Sequence, residues 1–96
     1  MTTGSTRVTG DGVVGISGKP FRVTCIIVRS VTGAAVVNVR NGAAVSSTIH
    51  DVIDVTAANL TVVRDYGSNG ILLSGGCYID VDANTSFVVV EGRAEL

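Results

Sequence analysis

The stretch that decides how this chain is read is DVDANTSFVVVE, Asp80 to Glu91. Asp80, Asp82, Asn84 and Glu91 fall on ligand positions of a twelve-residue calcium loop. That loop needs glycine at its sixth position for a sharp turn, and Thr85 stands there. It also needs helical flanks, whereas CYID and FVVVE are rich in residues that favour strands. A hairpin fits better. With Ala83-Asn84 at the tip, Asp82 faces Thr85, Asp80 faces Phe87, Ile79 faces Val88 and Cys77 faces Val90. Cys77, Ile79, Val81, Val88 and Val90 then form a core face, and no calcium site is expected.

The other face of that hairpin collects Tyr78, Asp80, Asp82, Phe87, Val89 and Glu91. A solvated sheet face should be more uniformly polar. Apolar groups left in such a face mark a contact surface, so Tyr78, Phe87 and Val89 are the expected interface residues.

Working outward, short β-branched runs alternate with glycine, asparagine and serine turns. Strands are expected over Val13–Ser17, Pro20–Ser30, the AAVVNVRNG run, Ser47–Val55, Leu60–Tyr66, Ile71–Ser74, Cys77–Asp82 and Ser86–Glu91. Phe21, Val23, Cys25 and Ile27 share one face of the second run; Ile26 and Val28 break its alternation, which implies cover on both faces there. Asn41-Gly42 suits a tight turn. The expectation is all-β: a small antiparallel β-sandwich or jelly-roll-like domain of seven to eight short strands. Residues 1–12 read as a flexible arm and 13–96 as a single β domain.

Composition narrows the function. The chain has 96 residues, 46% hydrophobic and 16% charged, with net charge −1. One core is all it can hold. Its seven basic residues are scattered, which argues against nucleic acid as a partner. No run approaches the about 20 apolar residues of a membrane helix, and the polar N-terminus lacks a signal-peptide core. Cys25 and Cys77 are too few for a disulfide framework and lack metal-ligand spacing, so both are expected as reduced thiols facing the core.

Catalytic motifs fail on inspection. Gly10, Gly12 and Gly15 spell G-x-G-x-x-G, but no helix follows to hold a pyrophosphate. GISGKP lacks the first glycine and the Ser/Thr of a phosphate loop. His50 and Asp51 are adjacent, so on a strand they diverge, and no nucleophile motif accompanies them. Asp51 and Asp54 offer a carboxylate pair with nothing else to support glycosidase chemistry. The expectation is a protein that is not an enzyme and needs no cofactor or metal.

SGKPFRVTCIIVRS, VVNVRNG and GGCYIDVDANTSFVVV resemble a group of small proteins of tailed bacteriophages, including marine cyanophage-like ones. The resemblance spans about Ser17 to Val90 and carries no site residues. It implies a virion structural protein, assembled in the host cytoplasm: a capsid decoration or cement protein, or else a tail or neck accessory. Its partners would be further copies of itself, as a trimer by analogy, and the major capsid protein or tail and neck proteins. A small carbohydrate- or host-binding sandwich is the competing expectation. It is weakened by the absence of tryptophan, since such modules stack sugars on aromatic platforms.

Overall fold

Runs of valine, isoleucine and threonine broken by glycine leave little from which to build a helix. The computed structural model describes residues 4–95, and those residues form nine strands and no helix. They are β1 (Gly4–Val8), β2 (Gly12–Val14), β3 (Phe21–Ser30), β4 (Ala35–Asn41), β5 (Thr48–Val55), β6 (Thr61–Asp65), β7 (Ile71–Leu73), β8 (Cys77–Val81) and β9 (Thr85–Ala94). Sheet A has the order β1-β9-β3-β6, with β7 also on β3, and sheet B the order β2-β8-β4-β5.

The pairs are nested. β4 pairs β5, β3 pairs β6 and β7, β2 pairs β8, and β1 pairs β9, all antiparallel. The chain is therefore one long hairpin, folded over so that successive rungs belong to alternate sheets. β3–β9 and β4–β8 contacts then join the rungs within each sheet. This wrapped hairpin is a jelly-roll β-sandwich.

Alternation fills the space between the sheets. Sheet A contributes Phe21, Val23, Ile26, Val28, Leu73, Val88 and Val90, and sheet B contributes Val14, Val37, Val39, Ile53, Val55, Cys77 and Ile79. Phe21 lies between two glycines. A Cβ on Gly15, whose φ is +88°, would come within 2.6 Å of its ring, and one on Gly92 would meet the ring at 2.6 Å and the Arg22 carbonyl as well. Gly15 is thus a turn residue that leaves room for the ring.

Four expectations need correction. Asp80–Glu91 is not a hairpin: β8 lies in sheet B and β9 in sheet A, and the turn between them arches from one sheet to the other. The inward residues are still Cys77, Ile79, Val88 and Val90, because an arch and a ladder both bury alternate positions. The Asp and Asn side chains hold the arch. Asp82 accepts hydrogen bonds from the Val36 N–H (2.8 Å), the Asn84 N–H (3.0 Å) and the Thr85 hydroxyl (3.1 Å). Asn84 accepts one from the Thr32 hydroxyl at 2.6 Å and donates to the Ala34 carbonyl at 2.9 Å.

Cys25 does not face the core. β3 and β9 slip register between Val23 and Cys25, so Thr24 is an extra residue that inverts the phase of the strand. Its hydroxyl donates to the Glu91 carbonyl (3.1 Å), and its own carbonyl accepts from the Tyr66 N–H (2.9 Å). Ile26 and Val28 point inward, and Cys25 and Ile27 outward. The stretch expected as a flexible arm supplies β1, which pairs with β9 from Gly4↔Gly92 to Val8↔Val88, and then the start of β2; residues 1–3 lie outside the described residues. Asn41-Gly42 is no two-residue turn either. β4 and β5 are joined by a longer loop, and Asn41, the last residue of β4, accepts from the Gly75 N–H at 2.7 Å.

Candidate interaction surfaces

With alternate residues buried, the remaining side chains form two outer faces. On sheet B the register aligns Ile49, Arg40, Tyr78 and Val13 in one row and Val52, Asn38 and Asp80 in the next. Val13, Val36, Ile49 and Val52 are exposed there. The polar centre is neutralised within the face. Asp80 Oδ2 accepts from Arg40 Nη2 (2.9 Å), Arg40 Nε (3.2 Å) and Asn38 Nδ2 (3.2 Å), while Arg40 Nη1 donates to the Ser47 carbonyl (2.8 Å).

The outer face of sheet A is arranged differently. Its middle row runs Arg7, Val89, Ile27 and Val63, from β1, β9, β3 and β6, with the three apolar members on the inner strands and the edge β6 and Val63 59% exposed. On one side lie Phe87, Arg29 and Thr61. Arg7, on β1, reaches over the Phe87 ring with its guanidinium 4.7 Å from the centroid. On the other side lie Ser5, Glu91, Cys25 and Asp65. Two residues along a strand span about 6.8 Å, so a cationic, an apolar and an acidic row follow one another across the face. Among the described residues, Arg7, Arg29, Glu91 and Asp65 make no ion pair. Beyond the acidic row, Arg22 and Arg93 share Glu95 at 2.6 and 3.6 Å.

The expected interface residues therefore separate. Phe87 and Val89 belong to the outer face of sheet A, whereas Tyr78 is on the opposite surface of the sandwich, on sheet B. They share a face only if β8 and β9 form a ladder. The calcium-loop residues are parted in the same way: Asp80 is bound by Arg40, Asp82 and Asn84 hold the arch, and Glu91 faces out from sheet A.

Titratable groups outside these faces serve the sandwich. Tyr66 donates to Asp51 Oδ2 at 2.6 Å, and Arg64 Nε lies 3.5 Å from the same oxygen. Burial, together with the hydrogen bond to the Asp51 carboxylate, pushes the Tyr66 hydroxyl well above its ordinary range. Arg64 also donates to the Val52 carbonyl at 3.2 Å, so the cluster occupies a backbone group on the outer edge of β5. His50 lies exposed at an irregularity between β4 and β5, while Asp51 turns toward Tyr66, so the two do not form a dyad. Burial raises the Cys77 thiol to about 12. Cys25 is raised by desolvation and by the carboxylates of Glu91 and Asp65. The Arg22 hydrogen bond holds the Glu95 carboxyl below its usual range.

The chain matches no family model, and comparison with curated proteins and with solved structures gave no match. Sequence reasoning missed Ile27, Val63, Arg7 and Arg29 as members of one surface. They come from strands far apart in sequence, and the only local signal was the break in alternation around Ile26.

Proposed function

We propose that this chain is a structural protein of a tailed-phage particle, acting by assembly and without catalysis. It binds the assembled capsid shell in many copies as a decoration protein; attachment to the tail or neck is the second choice. Binding the assembled form in preference to its free subunits stabilises the particle by mass action. The observation that carries this reading is the outer face of sheet A, where an apolar row of half-buried Val89 and Ile27 and exposed Val63 is framed by Arg29, Glu91 and Asp65, which make no ion pair among the described residues. Such a face suits a second protein surface better than water. The jelly roll lends support by analogy, because viral capsid domains use it, although lectin domains and cupins do too. The sequence resemblance to small phage proteins points the same way.

The test is sedimentation of the purified chain with assembled particles and, separately, with unassembled capsid subunits. Saturable binding to particles, with a rise in their heat resistance, is expected. Absence of binding to heads, tails and whole particles would overturn the reading.

A further inference from the structure

We propose that the outer face of sheet A pairs with the same face of a second copy, about a two-fold axis lying along the row Val89–Ile27–Val63. The proposal deepens the assembly reading and rests on it for its biological setting, but its geometry stands on the register alone. A two-fold axis in the plane of the contact leaves that row in place and exchanges the rows on either side. The cationic row of each copy then meets the acidic row of the other. Ile27 stacks on its own counterpart. Arg29 of one copy lies over Cys25 of the other, flanked by the second copy's Glu91 and Asp65, its neighbours across β9 and β6. Arg7, held over Phe87, faces the second copy's Glu91. Each pairing occurs twice by symmetry.

Two observations favour this occupant and this face. Arg7, Arg29, Glu91 and Asp65 make no ion pair among the described residues and are ordered so that a copy of the face neutralises them. On sheet B, Arg40 and Asp80 already satisfy one another, and exposed Asp54, opposite Val36, has no cationic row of a second copy to meet. The size of the face sets the strength. Four strands about 4.8 Å apart and three rows about 6.8 Å apart cover roughly 400 Å² per copy, about 800 Å² in total, below the roughly 1,200 Å² of a standard interface. The free pair is therefore weak, and repeated attachment to a symmetric particle would reinforce it.

Sedimentation equilibrium up to about 1 mM, with a dissociation constant on the order of 100 µM, reads the pairing directly. Arg29→Glu and Glu91→Arg each place like charges in contact and should weaken association at least about tenfold. Mixing the two variants restores both contacts. The glutamate introduced at position 29 of one copy meets the arginine introduced at position 91 of the other, and the native Arg29 and Glu91 that remain meet each other. The equimolar mixture should associate more tightly than either variant alone but below wild type, because Arg7 of one copy then faces the arginine introduced at position 91 and the glutamate introduced at position 29 lies beside Asp65. A second readout needs no variant: the Cys25 thiol should be modified more slowly as wild-type concentration rises through the same range.

Wild type that stays monomeric at about 1 mM, with a concentration-independent Cys25 rate, overturns the pairing. So does wild-type association in which the mixed variants bind no more tightly than either variant alone. If monomeric wild type still binds particles, the pairing falls and the assembly reading stands. If wild type pairs as described but binds no particle, the pairing stands and the assembly reading falls.

Discussion

Replacing Asp80 with alanine removes the acceptor on which three donors converge. Arg40 loses the bonds from Nη2 (2.9 Å) and Nε (3.2 Å), Asn38 loses the one from Nδ2 (3.2 Å), and Arg40 keeps only its bond to the Ser47 carbonyl. Fully exposed pairs contribute about 0.2–1 kcal/mol, and removing one member of a fully buried pair costs about 3–5 kcal/mol. The side chains here are 15% and 19% exposed, so water reaches the stranded guanidinium only in part. The expected cost is about 2 kcal/mol, or roughly 8–16 °C in Tm for a domain of this size. Equilibrium urea denaturation of wild type, Asp80→Ala, Arg40→Met and the double variant closes a cycle, with an expected coupling of about 1 kcal/mol. An Asp80→Ala cost under about 0.5 kcal/mol with no coupling would refute the view that this pair holds β4 to β8.

The other predictions concern the core, the thiols and the C-terminal ion pair. Gly92→Ala forces a Cβ against the Phe21 ring and the Arg22 carbonyl and should cost about 2–3 kcal/mol by thermal or urea unfolding. Native protein should present one accessible thiol, Cys25, whose labelling accelerates with pH as the thiolate forms, over a range displaced upward from that of an ordinary thiol; Cys77 should label only on unfolding, as mass spectrometry of the labelled peptides would show. The Glu95 carboxyl is depressed in the folded state, so its contribution is present above the unfolded carboxylate pKa and lost as pH falls through the folded one. Glu95→Gln should therefore flatten the acid limb of a Tm-against-pH curve and leave its shape near neutrality unchanged.

Where strands lie is more legible in this sequence than how they pair. The β-branched runs locate the strands from β3 to β9, and the alternation of Cys77, Ile79, Val88 and Val90 points the correct residues inward. Pairing is another matter. Adjacent strands joined by a short Asp-Ala-Asn turn can close a ladder or arch between sheets, and the choice is set by β4 and β3, which occupy the pairing edges of β8 and β9. A ladder there would put Tyr78 beside Phe87; the arch puts them on opposite surfaces. On β3, the apolar run at Ile26 and Val28 reads as a strand covered on both faces, when one additional residue, Thr24, has shifted its phase. A bulge leaves no mark in composition. Simple alternation therefore turns Cys25 and Ile27 inward, and the apolar row of sheet A cannot be assembled without the register.

The nested pairing also gives the molecule a mechanical direction. β1 and β9 are antiparallel neighbours, and Gly4 opposite Gly92 places both ends of the described chain at one end of that pair. The hydrogen bonds joining antiparallel strands run across them. A tension applied through the two termini acts along those bonds and opens them one rung at a time, from Gly4 toward Val8, as a zip opens. A load carried through the outer face of sheet A spreads over four strands at once. A domain of this design would hold when gripped by its face and peel when pulled by its ends.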